Sequence, residues 1–167
     1  MNDNNANSNK ESHVLSVLVN DHPGLLYKVS GLFSRRGFNI ESLTVGPCEI
    51  PERSRMTIVV SGDEATVDQV MRQLDKLIDV VEIERLPRDY DVERELILAK
   101  VGCTSQTRAE LLQIAEIFRA SIIDVSHTAL TLELTGQQDK LTAFVNMLEP
   151  FGIIRIVRTG LIALERS

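Results

Sequence analysis

The residues best placed to bind a small ligand lie at positions 21–26. They read Asp-His-Pro-Gly-Leu-Leu and follow an alternating apolar segment, a pattern that predicts a tight turn into a helix. The first turn of a helix has backbone N–H groups with no partner inside the helix, and such groups suit a carboxylate. We therefore expect the N–H groups of Gly24, Leu25 and Leu26 to hold the carboxylate of a small molecule.

Three side-chain properties support this ligand site. Gly24 has no side chain, so a ligand can approach its backbone closely. Asp21 can face an ammonium group, and Asn39, at the start of a later strand, has both donor and acceptor atoms. A purely structural alternative is that Asp21 or His22 caps the helix, with Pro23 in its first turn.

Catalytic and metal sites are not indicated by the spacing of the reactive residues. Asp21 and His22 are adjacent in a turn, where they rarely orient each other, and no serine or cysteine nucleophile motif lies nearby. The histidines and cysteines lack metal-ligand spacing, and no glycine-rich phosphate loop occurs. We expect no catalytic residues, no metal and no cofactor in this chain.

The composition restricts the class of partner. The chain has 167 residues and a net charge of −6, with 4% aromatic residues and no tryptophan, which disfavours nucleic acid as a partner. No apolar run reaches the roughly 20 residues that cross a bilayer, so no membrane is expected. Residues 1–12 lack the apolar core of a signal peptide and predict a disordered lead. With only two cysteines, these features favour a cytoplasmic protein.

Hydrophobic periodicity predicts the same order of elements twice, β-α-β-β-α-β. The predicted strands cover 14–19, 38–45, 55–61 and 78–86, and then 95–101, 121–128, 129–134 and 153–164. Gly37 is a predicted helix stop and Asp63 a predicted helix cap, while Thr107 with Glu110 has the pattern of a capping box.

The predicted fold class is α+β, with two tandem ferredoxin-like domains. The first spans 13–86 and the second 94–167, joined by a polar linker at 87–93. In such a unit both helices cover one face of the sheet, so the other face and an edge strand need cover. A homodimer is the natural way to supply it.

Several segments together resemble a known family. They are Asn-Asp-His-Pro-Gly-Leu-Leu at 20–26, Leu-Phe-Ser-Arg-Arg-Gly-Phe-Asn-Ile-Glu-Ser-Leu-Thr-Val at 32–45, Ser-Arg-Met-Thr-Ile at 54–58, and stretches at 92–96, 116–125 and 158–164. The first half resembles an ACT domain. Over about residues 13–166 the chain resembles the small, regulatory subunits of acetolactate synthase, also called acetohydroxyacid synthase.

The resemblance implies a subunit without an active site of its own. It implies binding to and activation of a large catalytic subunit that carries thiamine diphosphate, magnesium and FAD and condenses pyruvate with pyruvate or 2-oxobutyrate. It also implies feedback inhibition by valine in branched-chain amino acid biosynthesis. In such ACT dimers the effector lies between protomers, where the turn at 21–26 of one chain meets Asn39 and Ile40 of the other. Asp21 stands where many relatives have Asn, and Lys28 where many have Arg.

Two other classes of function remain as alternatives. The chain could be the effector-sensing part of a transcriptional regulator, although residues 1–12 contain only Lys10 as a base and are too few for a helix-turn-helix. It could also be a separate enzyme that binds an amino acid, which the absence of nucleophile, metal and phosphate motifs disfavours.

Overall fold

The computed structural model describes residues 11–87 and 91–166 and divides into two compact units. One unit is built from the chain up to Val92 together with the final residues from Ala163, and the other is Glu93–Ile162. Glu11 and Ser12 are part of the first strand, so the predicted lead is too long by two residues; residues 1–10 lie outside the described part. No helix in the described ranges is long and apolar enough to span a membrane.

The first unit has the predicted β-α-β-β-α-β order. Its elements are β1 (Glu11–Asn20), α1 (Leu25–Arg36), β2 (Ile40–Pro47), β3 (Arg53–Gly62), α2 (Glu64–Leu74) and β4 (Val80–Leu86). The four strands form a sheet of order β2-β3-β1-β4, and all its pairs are antiparallel. The turn at residues 21–26 therefore follows a central strand, β1, whereas β2 lies at an edge of the sheet.

The core of this unit forms between one sheet face and the two helices. Alternate residues of β1 point to this face, so Leu15, Val17 and Val19 are fully buried. The apolar stripe of α1 packs against them because Leu25, Val29, Leu32 and Phe33 recur at helical spacing. Burial of each large side chain contributes about 1.5–3 kcal/mol, which fixes α1 and hence the turn that precedes it.

Both predicted helix boundaries of the first unit are confirmed. Gly37 ends α1 in the left-handed conformation, with φ of 68°, and its N–H donates to the carbonyl groups of the last turn. The Asp63 carboxylate accepts the Thr66 N–H at 2.8 Å at the start of α2, as expected of an N-cap.

The second unit repeats the fold. Its elements are β5 (Asp91–Gly102), α3 (Arg108–Phe118), β6 (Ser121–Val125), β7 (Ala129–Gly136), α4 (Gln138–Leu148), a short 3-10 helix (Glu149–Phe151) and β8 (Ile153–Arg158). A last strand, β9 (Ile162–Glu165), follows β8 in the chain. The sheet order is β6-β7-β5-β8, and β9 also pairs with β5. The predicted two ferredoxin-like folds are confirmed.

The predicted linker and the predicted last strand of the second half differ from the structure. The predicted linker at 87–93 is shorter, because β5 already begins at Asp91, while residues 88–90 lie outside the described part. The predicted last strand is broken into β8 and β9, and Gly160 between them has φ of 87°. A strand cannot continue through that left-handed conformation.

The predicted capping box at Thr107 and Glu110 is wrong by three residues. Thr107 makes no side-chain cap bond to α3. Instead the Thr104 Oγ1 accepts the Thr107 N–H at 3.2 Å, and the Thr107 Oγ1 accepts the Thr104 N–H at 3.0 Å. This reciprocal pair has the geometry of a capping box centred on Thr104, one turn earlier.

Candidate functional site

The turn before α1 is shaped by Gly24. This residue is the N-cap of α1 and has φ of 91° and ψ of −5°, a left-handed conformation that favours glycine. No side chain caps the helix, so the alternative in which Asp21 or His22 acts as the cap is wrong. Pro23 precedes the cap and does not lie in the first helical turn.

The start of α1 offers open backbone donors. Within the described ranges, the N–H groups of Gly24 and Leu26 have no protein acceptor, while the Leu25 N–H makes a long bond of 3.4 Å to the His22 carbonyl. A Cβ atom placed on Gly24 would meet no atom within 4 Å, so the backbone here is accessible. Leu26 is 49% exposed, whereas the Leu25 side chain is buried in the core. A ligand can therefore reach the backbone of Leu25 but not its side chain, whereas the side chain of Leu26 is accessible.

Asp79 is the residue of this region that the sequence analysis missed. Its carboxylate contacts the His22 Nε2 through one oxygen and lies 2.8 Å from the Lys28 Nζ through the other. The Asp79 side chain is only 8% exposed, whereas those of His22 and Lys28 are 37% and 46% exposed. The sole sequence signal was a charged residue between Ile78 and Val80, in a stretch that otherwise predicts a strand.

His22 has a hydrogen-bond acceptor on each side of its ring. The Nε2 atom faces the Asp79 carboxylate, and the Nδ1 atom lies 3.0 Å from the Pro23 carbonyl oxygen. Both partners only accept hydrogen bonds, an arrangement that favours the doubly protonated ring. The hydrogen bond to Asp79, and then that to Pro23, raise the pKa of His22 above 6.5. The same contact with His22, aided by Lys28, lowers the pKa of Asp79 below 3.8.

Asp21 faces a different part of the first unit. Its N–H donates to the Glu52 carbonyl at 3.0 Å, and its side chain is exposed. It lines an open cleft of about 530 Å³ between the end of β1 and the loop that joins β2 to β3. The structure thus places the Asp21 carboxylate beside the turn and free to meet a charged group that approaches from outside.

Asn39 and Ile40 lie at the other end of the same sheet. Ile40 pairs with Val60 of β3, whereas Asn20, directly before the turn, pairs with Arg53 of β3. Seven residues of an antiparallel strand separate these two positions, which is about 24 Å at 3.4 Å per residue. Within one chain, therefore, the turn and the pair Asn39–Ile40 cannot contact the same small molecule.

One cluster of possible metal ligands is occupied by an arginine. Among the described residues, ligand atoms of Glu11, His13 and Glu64 lie within 4.8 Å of one another. The Arg85 guanidinium, however, donates to the His13 Nδ1 at 2.8 Å and to both oxygens of Glu64. The His13 Nε2 bonds to the Gly62 carbonyl at 3.0 Å, so neither ring nitrogen is available to a metal. The cluster is therefore an ion pair of Arg85 and Glu64, with the buried His13 beside the arginine.

Comparison with known proteins identifies the family of both units. Residues 15–82 match the family described as the AHAS small subunit-like ACT domain, and residues 94–167 match the family described as the small subunit of acetolactate synthase. The solved structure of an acetolactate synthase small subunit from Thermotoga maritima superposes with a TM-score of 0.89 at 42% identity, over 94% of this chain and 98% of that chain. This chain belongs to the acetolactate synthase small-subunit family.

Curated relatives agree with this assignment. The acetolactate synthase small subunit of Mycobacterium bovis is 49% identical over 157 residues, which is 94% of either chain. A probable acetolactate synthase small subunit of Archaeoglobus fulgidus is 47% identical over 93% of this chain and 97% of its own length. The resemblance drawn from the sequence is confirmed, and a role in transcriptional regulation is not favoured because both units match one biosynthetic family.

The turn before the first helix of the second unit differs from the turn before α1. The segment between β5 and α3 contains the bonded pair Thr104 and Thr107 in place of the Pro-Gly turn. The hydroxyl groups therefore satisfy the N–H groups of Thr104 and Thr107, which precede α3. Unlike Gly24, which has the left-handed conformation, Thr107 at the N-cap of α3 has φ of −90°, and its N–H is already bonded to the Thr104 hydroxyl group.

Proposed function

We propose that this chain binds and activates a separate catalytic subunit of acetolactate synthase and makes it sensitive to inhibition by valine. Support comes from the family assignment, which covers both units. In this proposal thiamine diphosphate, magnesium and FAD belong to the catalytic subunit and supply the condensation chemistry there. This chain contributes binding and regulation in the synthesis of branched-chain amino acids.

The proposed effector site is built from two chains. Valine is a zwitterion, so its carboxylate suits the open N–H groups of Gly24 and Leu26, and its ammonium group suits the exposed carboxylate of Asp21. Asn39 of the partner protomer would bind either end of the ligand. The partly buried Ile40 and the exposed Leu26 would surround the branched side chain.

The distance between the two halves of the site is the observation that carries this proposal. In one chain, about 24 Å of strand β3 separates the position that pairs with Asn20, directly before the turn, from the position that pairs with Ile40. Since β2 lies at a sheet edge, two copies can pair their β2 strands antiparallel about a two-fold axis. Such a pairing reverses the partner's sheet, so the partner's Asn39 approaches the end of the sheet where the turn lies.

Inhibition would follow from differential affinity. A ligand shifts an equilibrium only by the difference between its affinities for two states. Valine between the protomers would stabilise one arrangement of the dimer relative to the activating one. A coupling free energy of about 1–3 kcal/mol, typical of allosteric proteins, is enough to reduce activity several-fold.

Reconstitution with the catalytic subunit tests this function. Gly24→Asp adds a carboxylate next to the open N–H groups, so we expect normal activation but loss of inhibition by valine. Ser105→Asp is a matched control, because it adds the same charge at the corresponding turn of the second unit and should keep inhibition. Full valine inhibition in the Gly24→Asp enzyme would reject this site, and failure of the wild-type chain to activate the catalytic subunit would reject the function.

A further inference from the structure

Asp79, His22 and Lys28 form a cluster of charged and titratable side chains at the turn before α1. Asp79 lies directly before β4, and its own carbonyl group accepts the Asn20 N–H at 2.8 Å. The carboxylate is thereby fixed relative to the end of β1, where the turn begins. From this position it reaches His22 in the turn and Lys28 in α1.

We propose that Asp79 is a positioning residue of the effector site, which makes binding of a carboxylate ligand at the Gly24–Leu26 turn depend on protonation of His22. This inference rests on the proposed function, because it concerns the same site. The role is a positioning one, since the Asp79 carboxylate bonds to His22 and Lys28 through its two oxygens.

The first link is geometric. Protonated His22 donates through Nδ1 to the Pro23 carbonyl at 3.0 Å and through Nε2 to Asp79. The Pro23 carbonyl belongs to the peptide group that supplies the Gly24 N–H. Loss of the Nδ1 proton removes the hydrogen bond that orients this peptide group, so a donor for the ligand becomes less well placed.

The second link is electrostatic. The charged groups that face the ring are the Asp79 carboxylate and the Lys28 ammonium group, with Asp21 adjacent in the chain. The carboxylate of Asp79 favours the charged ring and Lys28 opposes it. When His22 loses its proton, the net charge of the cluster falls by one, which weakens attraction for the carboxylate of a ligand.

Linkage gives the direction and size of the effect. If a ligand raises the pKa of His22 by about half a unit, it binds about threefold more tightly to the protonated protein, by reciprocity. We therefore expect the dissociation constant of valine to rise about threefold as the pH increases through the pKa of His22.

The test combines calorimetric titration of valine between pH 6 and 9 with NMR titration of the imidazole groups in the full chain. The chain has three histidines, and the signal of His22 is assigned by its absence from the His22→Gln variant. We expect Asp79→Asn to lower the pKa of His22 and to move the change in valine affinity to the same lower pH. Lys28→Gln should raise both the pKa of His22 and the pH at which valine affinity changes, because it removes an exposed positive charge that repels the protonated ring. His22→Gln, which has no titrating ring, should abolish the threefold change.

A purely structural role of Asp79 would not shift the pKa of His22 in opposite directions in the Asp79→Asn and Lys28→Gln variants. Nor would it make the pH at which valine affinity changes shift with that pKa. An unchanged pKa of His22 in Asp79→Asn, or a changed pKa without a matching shift in affinity, would overturn the inference. The Lys28→Gln variant decides the question if Asp79→Asn does not fold. If wild-type protein binds no valine at any pH, the proposed effector is wrong, whereas the NMR titration separately shows whether Asp79 controls His22.

Discussion

Gly24 and Gly37 stand at the two ends of α1 in the same left-handed conformation, with φ of 91° and 68°. A Cβ atom at either position would meet no atom within 4 Å. Alanine would therefore be strained by its backbone alone, and not by a clash.

We predict that Gly24→Ala and Gly37→Ala each lower the free energy of unfolding by about 1–2 kcal/mol, the cost of the left-handed conformation for an L-residue. Urea denaturation measures this. Gly31→Ala, inside the same helix, is the control with the opposite sign. Its Cβ would approach only the flexible end of Arg35, at 3.3 Å, so alanine should stabilise the helix by about 0.5–1 kcal/mol. Equal effects at all three positions would contradict the assigned backbone conformations.

The reciprocal threonine pair at the start of α3 gives a second prediction. Thr104→Ala removes the acceptor for the Thr107 N–H, so we expect a loss of about 1 kcal/mol in the free energy of unfolding. Thr104→Ser should retain most of the stability that Thr104→Ala loses, since the hydroxyl group remains. Ser105→Ala, at the adjacent exposed position, should change stability by less than about 0.5 kcal/mol. A neutral Thr104→Ala variant would show that the predicted cap at Thr107 was the better assignment.

The pair of His22 and Asp79 predicts a stability window in pH. The pKa of Asp79 is lowered, so its contribution is fully present above 3.8 and is lost as the pH falls through its folded-state pKa. The pKa of His22 is raised, so its contribution is fully present below 6.5 and is lost as the pH rises through its folded-state pKa. The stability difference between wild type and Asp79→Asn should thus be largest between these two values. Thermal unfolding at a series of pH values measures it, and a difference that grows steadily towards alkaline pH would be inconsistent with the pair.

Features specified by neighbouring residues were predictable from the sequence. Gly37 and Asp63 act within one helical turn of their own positions, so their types identify the helix ends. The two β-α-β-β-α-β units follow from periodicity, which depends on burial of one face of each element. The turn with Gly24 was found in the same way, because Pro-Gly before an apolar helical stripe is a local signal.

Features that depend on distant residues were not predictable. Asp79 is 57 residues from His22 and 51 from Lys28, and only the folded sheet brings them together. The sequence pattern predicts a cap at Thr107 because Glu110 follows three residues later, whereas the mutual bonding of Thr104 and Thr107 has no such sequence signature. Likewise, nothing in the local sequence shows that Asn39 and the turn lie at opposite ends of one sheet.

Two-site complementation in mixed dimers is the most direct test of the shared effector site. Gly24→Asp damages the turn, and Asn39→Ala damages the opposite half. Each homodimer then has two defective sites, whereas a mixed dimer has one doubly damaged site and one intact site. Differently tagged chains, co-expressed and purified as mixed dimers, should bind one valine per dimer by calorimetric titration, while both variant homodimers bind none. Absence of binding in the mixed dimer, with two valines bound per wild-type dimer, would contradict a site formed between two chains.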